Sequence, residues 1–156
     1  MFKKAVIMSL AGLWLSAAVS AAESARQYVP APAPAANEPA LPFSEGVMAG
    51  GIFYVAGHIG MDPATHKVGA TPDAEARLVM DAVKQTLADG GLTMDDLVSV
   101  TVYCTDLSLY DSFNAIYRTY FHGPFPARAF IGVDTLVRGA HFEVAGAAVK
   151  SRAAGR

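Results

Sequence analysis

From Val98 to Thr105 apolar and polar side chains alternate without a break: Val98, Val100, Val102 and Cys104 on one side, Ser99, Thr101, Tyr103 and Thr105 on the other. A strand repeats every two residues, so this stretch predicts a strand with one face in a core and the other outside it. The periods on either side are different. Thr71-Pro72 offers an N-cap followed by proline at the first helical position, and Leu78, Val79, Ala82, Val83, Thr86 and Leu87 then recur at helical spacing. Asp73 and Glu75 favour the positive end of that helix, and Gly90-Gly91 stops it near Ala88. Ser108 and Asp111 start a second helix through Leu109, Phe113, Ile116, Tyr117 and Tyr120, which Gly123-Pro124-Phe125-Pro126 breaks.

Val47 to Ala49 and Ile52 to Ala56, joined by Gly50-Gly51, read as a hairpin. Further strands fit Ala127 to Val133 and Phe142 to Lys150. The order β-β-α-β-α-β-β predicts an α+β fold with two helices on one face of a mixed sheet. The other face is apolar enough to need cover, which a second copy of the chain supplies most simply, so a homo-oligomer is expected.

The chain divides before that domain begins. Lys3 and Lys4, the uncharged run Ala5 to Val19, and the small residues Val19-Ser20-Ala21-Ala22 have the three-part layout of a cleavable signal peptide over residues 1–22. Its apolar run is shorter than the roughly 20 residues of a membrane-spanning helix. A periplasmic or secreted protein, with no membrane attachment after cleavage, is the expectation. Residues 23–40, with Pro30, Pro32, Pro34 and Pro39 among alanines, read as an extended linker. The compact domain is expected over 41–152, with 153–156 as a tail.

The full chain carries 12 basic and 14 acidic residues, and losing Lys3 and Lys4 leaves 10 against 14, a net charge near −4. That balance, without a basic stripe, gives no footprint for nucleic acid. The single cysteine, Cys104, allows no intrachain disulfide and is expected to be a buried, inert thiol. His58, Asp62 and His66 are four apart, but Gly60 and Pro63 make that segment a turn, so no metal site is expected. His122 and His141 are expected to face solvent.

One cation stands out. Arg128 enters an otherwise apolar strand and needs an anion, for which its planar fork suits a carboxylate. Glu143, between Phe142 and Val144 in the next strand, is within reach of it if the two strands pair. Spacing alone leaves a structural ion pair and a ligand site both open.

Pro126-Ala127-Arg128-Ala129, Ile131, Leu136 and Phe142-Glu143-Val144 resemble the C-terminal signature of the reactive-intermediate deaminase family, RidA, also called YjgF. The likeness extends from about Leu41 to Arg152 through Gly46, Val55-Ala56-Gly57, Asp62-Pro63, Asp106-Leu107, Asn114 with Tyr117, and Phe125. It implies a chorismate-mutase-like fold, a homotrimer with clefts between subunits, no metal or organic cofactor, and hydrolysis of amino-acid-derived imines or enamines to 2-oxo acids and ammonia. By the same resemblance Arg128 clamps the substrate carboxylate with the Gly57 N–H. Glu143 positions or activates water, and the Phe130 carbonyl completes the water site.

The resemblance also implies that Asn114, Phe43 and His58 lie at the same cleft, with Tyr117 explained equally by packing. The sequence departs from the family's usual pattern at Phe43 (Tyr), Ala56 (Ser), His58 (Gln), Phe130 (Cys) and Asp134 (a small or basic residue), removing two hydroxyls and adding a negative charge. A trimeric binding protein holding small carboxylates without turnover is the alternative. The family's endoribonuclease label fits poorly with an acidic chain.

Overall fold

The computed structural model describes residues 26–34 and 39–150; the signal peptide and the tail expected at the two ends lie outside them. Six strands form one sheet: β1 (Gln27–Pro30), β2 (Ser44–Ala49), β3 (Ile52–Ile59), β4 (Leu97–Cys104), β5 (Ala127–Gly132) and β6 (Phe142–Val149). Two helices, α1 (Pro72–Asp89) and α2 (Tyr110–Tyr117), complete the α+β arrangement. The strand order is β1-β2-β3-β6-β4-β5, antiparallel except for the β4–β5 pair, so the sheet is mixed as expected.

Both helices lie on one face. Val79, Met80, Val83 and Leu87 of α1 and Phe113 and Ile116 of α2 join Phe53, Val55, Val100, Val102, Phe142 and Val144 of the sheet in a single core. Three phenylalanines, Phe53, Phe113 and Phe142, are fully buried there. Truncating one to alanine removes about 3–5 kcal/mol, a large part of a small domain's stability. Cys104 is buried in the same core, where desolvation pushes its thiol up and keeps it protonated.

Helix α1 starts and stops where its caps place it. Thr71 accepts a hydrogen bond from the Ala74 N–H at 3.2 Å, and Gly91 takes the left-handed conformation (φ 73°) just beyond the C-cap Gly90. The β2–β3 hairpin turns on Gly50 and Gly51, both at positive φ (57° and 81°), as its glycine pair requires.

Four local expectations are corrected. Gln27–Pro30, inside the segment read as linker, is an edge strand paired antiparallel with β2, and the register breaks where Pro30 lacks an N–H to offer. Val98 is 48 % exposed because the pairing with β6 shifts between Leu97 and Ser99; Leu97 takes the buried place. The second helical segment is capped by Asp106, whose carboxylate accepts from the Ser108 N–H at 2.9 Å. It runs as 3₁₀ turn, α2 and 3₁₀ turn through Tyr120. His141 does not simply face water, since its Nδ1 lies 2.7 Å from the buried carboxylate of Glu75, whereas His122 is largely exposed.

Candidate active site

Paired residues on neighbouring strands point to the same face, so register decides what the two key side chains can reach. Arg128 pairs with Val100, a core residue, and therefore faces the helices. Glu143 pairs with Tyr103 on one side and Ile59 on the other, and faces away from them. Strand β4 also lies between β5 and β6. An ion pair between Arg128 and Glu143 across adjacent strands, left open by the sequence, is thus ruled out within one protomer.

Each residue has its own surroundings. Arg128 Nη2 donates to Asn114 Oδ1 at 2.7 Å, and the guanidinium lies 4.5 Å from the centre of the Tyr117 ring, with Phe130 and Tyr110 at 5.6 and 5.9 Å. Among the described residues no carboxylate pairs with it. A neutral amide and three aromatic faces hold the cation in place while leaving its charge uncompensated, which is an arrangement that binds an anion. A cavity of about 170 Å³ opens beside it, lined by Asn114, Tyr117, Arg118, Phe125, Pro126 and Arg128. Tyr117 is buried, its hydroxyl has no hydrogen-bond partner among the described residues, and desolvation pushes that hydroxyl up to about 12 against the pull of Arg128.

Glu143 lies against Gly57, where a β-carbon would collide with its carboxylate. A bulge between Val55 and His58 adds one residue to β3 at this point, so that Gly57 and Glu143 meet on the open sheet face. The same bulge turns His58 to the other side. His58 does not join Gly57 and Glu143: its Nε2 is 3.1 Å from Thr86 Oγ1 on α1 and its Nδ1 is 3.2 Å from Glu45 Oε2.

The remaining expected residues divide between the two faces. Phe130 packs its ring edge-on against Tyr110 and Phe113 on the helix side. Phe43 is exposed just before β2, and Asp134 is exposed in the loop after β5 without pairing Arg128. Asp62 accepts hydrogen bonds from the Ala64 and Thr65 N–H groups and shapes the turn after β3. Phe125 at the cavity wall is one of the residues that carry the family resemblance, whereas Arg118 beside it was not singled out by sequence. The signal was present, since Arg118 follows Asn114 by four residues, one helical turn.

The family profile described as Endoribonuclease L-PSP matches residues 33–150. The chain belongs to that family, which also carries the names RidA, YjgF and RutC. A RutC family protein of Saccharolobus solfataricus is 36 % identical over 117 residues, covering 74 % of this chain and 93 % of its own. A 2-iminobutanoate/2-iminopropanoate deaminase of Mus musculus is 32 % identical over 111 residues, covering 70 % of this chain and 82 % of its own. The YjgF gene product of E. coli superposes with a TM-score of 0.71 at 32 % identity, covering 80 % of this chain and 99 % of that structure. The mixed sheet with two helices on one face is therefore the fold of the RidA-like proteins. Deaminase activity occurs among relatives at about this level of identity.

Proposed function

We propose that the protein hydrolyses imines or enamines derived from amino acids, of the 2-aminoacrylate/2-iminopropionate type, to 2-oxo acids and ammonia. The observation that carries this reading is the uncompensated Arg128 guanidinium held by Asn114 beside an open cavity, in a chain whose relatives include named deaminases.

The two halves of the site meet between copies. Arg128 and Asn114 lie at the edge strand β5 and α2, while Gly57 and Glu143 lie on the open sheet face of the same protomer. That face presents small and apolar residues, including Ala127, Ala129, Ala145 and Ala147, with Tyr54 51 % and Ile131 41 % exposed. Packing it against the next copy around a three-fold axis buries this surface and brings one protomer's Glu143 to its neighbour's Arg128. A homotrimer with three such clefts is part of the proposal.

In each cleft Arg128 takes the substrate carboxylate through two parallel hydrogen bonds, aided by the Gly57 N–H. Glu143 and the Phe130 carbonyl hold a water against the imine carbon. The carbon is already electrophilic, so orientation and proton transfer are what the protein adds. Water adds its oxygen to carbon while Glu143 accepts a proton. That proton passes to nitrogen to give a carbinolamine; its hydroxyl proton then moves to nitrogen by way of Glu143 as the C–N bond breaks and C=O forms, so the imino acid plus water become a 2-oxo acid plus ammonia. No redox partner is required.

The test is ammonia release from freshly generated 2-iminopropionate by the mature protein. Acceleration that disappears in Arg128→Ala and Glu143→Gln supports the proposal; no acceleration, or full rate in Arg128→Ala, overturns it. The alternative, a carboxylate-binding trimer without turnover, draws support from Phe43 and Ala56, which lack the two hydroxyls of the family's usual pattern. It predicts calorimetric binding of 2-oxo acids by a protein that releases no ammonia. Residues 1–22 support export to the periplasm or beyond, testable by fractionation and N-terminal sequencing of the mature form.

A further inference from the structure

The cavity beside Arg128 holds a second guanidinium that the reaction above does not use. Arg118 follows α2, four residues after Asn114, and its guanidinium carbon lies 5.6 Å from the centre of the Phe125 ring. Phe125 is itself braced by Phe121 and Tyr117, whose ring centres are 5.7 and 6.3 Å away. Two arginines thus line one small cavity, each set by an aromatic face. Among the described residues neither is paired with a carboxylate, and no acidic residue lines the wall.

Two cations on one wall repel each other, and with the neighbour's Glu143 holding water at the reacting end, an occupant with two negative groups offsets that repulsion better than one with a single charge. The buried Tyr117 hydroxyl, which has no hydrogen-bond partner among the described residues, adds a donor in want of an acceptor at the same wall. A volume of about 170 Å³ is below that of cofactor pockets and suits a molecule of a few carbons.

We infer that the site selects imino acids with an acidic side chain. Arg128 takes the carboxylate next to the imine carbon and Arg118 takes the distal one, so the preferred substrates are the imines of four- and five-carbon dicarboxylic amino acids. Arg118 is then a specificity-determining residue. The inference rests on the reading above for the carboxylate at Arg128, and extends it to the side chain.

Two stable product-like acids of equal chain length isolate the distal charge: 2-oxoglutarate carries a second carboxylate and 2-oxopentanoate a methyl group. Calorimetry on the mature oligomer is expected to give at least tenfold tighter binding of 2-oxoglutarate. Arg118→Gln should abolish that preference by weakening 2-oxoglutarate binding about tenfold with a much smaller change for 2-oxopentanoate, Arg118→Lys should retain part of the preference, and Arg128→Gln should weaken both ligands. Arg118 is exposed, so these variants are expected to fold, and circular dichroism checks it.

Equal affinities in the unmodified protein, or a preference that survives Arg118→Gln, overturn the inference. So does a weaker oligomer in Arg118→Gln with no change in ligand preference, which would assign Arg118 to a subunit contact. The deaminase reading fails separately: a preserved dicarboxylate preference with no ammonia from either 2-iminoglutarate or 2-iminopropionate leaves the anion selectivity and removes the reaction.

Discussion

Glu143 rests directly on Gly57, and the contact leaves no room for a β-carbon between them. The glycine is required here by close approach, since its φ is not in the left-handed region. Gly57→Ala should therefore push the Glu143 carboxylate off its position while changing the rest of the sheet little. Because a misplacement of about 1 Å can cost on the order of 100-fold in rate, kcat for imine hydrolysis should fall roughly that far with 2-oxo acid binding largely kept. Equal kcat in the variant would show that Glu143 need not occupy this place.

Asn114 presents a neutral oxygen to Arg128 and so orients the guanidinium without cancelling it. Asn114→Asp keeps the shape and adds a charge, giving Arg128 an internal carboxylate that competes with the substrate's. A hydrogen bond to a charged group contributes about 1.5–3 kcal/mol, so KM should rise about tenfold or more. Asn114→Ala should loosen the arginine with a smaller loss. Steady-state kinetics or 2-oxo acid titrations distinguish the two variants; similar affinity in Asn114→Asp would detach Asn114 from anion binding.

The contrast between these residues shows what could be read from the chain. The period-two run from Val100 to Cys104, the Thr71-Pro72 start of α1 and the Gly50-Gly51 turn are local signals, and the fold follows them. Strand β1 has no such signal: Gln27–Pro30 holds two apolar residues and a proline, and becomes a strand only because β2 offers an edge to pair with. Arg128 and Glu143 were legible as residues but their relation was not. Consecutive strands suggest a hairpin, whereas here β4 inserts between them, a long-range choice that puts the side chains on opposite faces. His58 was misplaced for a related reason, since one extra residue in β3 reverses which face a side chain takes.

Glu75 was read as a charge favouring the first turn of α1, yet it is fully buried. Its carboxylate accepts from the N–H groups of His141 and Phe142 at 2.6 and 2.8 Å and from His141 Nδ1 at 2.7 Å, and so ties the helix to the start of β6. Glu75→Ala would leave buried N–H groups without an acceptor. The expected loss is about 3–5 kcal/mol, measured as a lower urea midpoint at pH 7. Glu143 follows Phe142 immediately, so activity in the folded fraction should fall as well. A stability change under about 1 kcal/mol would mean that water replaces the carboxylate readily.

His58 gives the fold a dependence on pH that can be isolated. Burial pushes the imidazole down to about 4 and pushes the facing Glu45 carboxyl up, so near neutral pH the ring is uncharged. Its Nδ1–H then donates to Glu45, and its Nε2 accepts from the Thr86 hydroxyl. In the unfolded chain the same ring takes a proton near 6.5. Between these values the unfolded state holds more protons, so the His58 contribution is present above about pH 6.5 and is lost as pH falls toward 4. Glu45 opposes part of this, because its raised value favours the folded state on acidification. Denaturant titrations at pH 7 and pH 5 should show a loss of about 1–2 kcal/mol attributable to His58. His58→Gln can donate to Glu45 and accept from Thr86 without titrating, so it should remove that increment of pH dependence while folding normally at pH 7. The same loss in His58→Gln would assign the dependence to other groups.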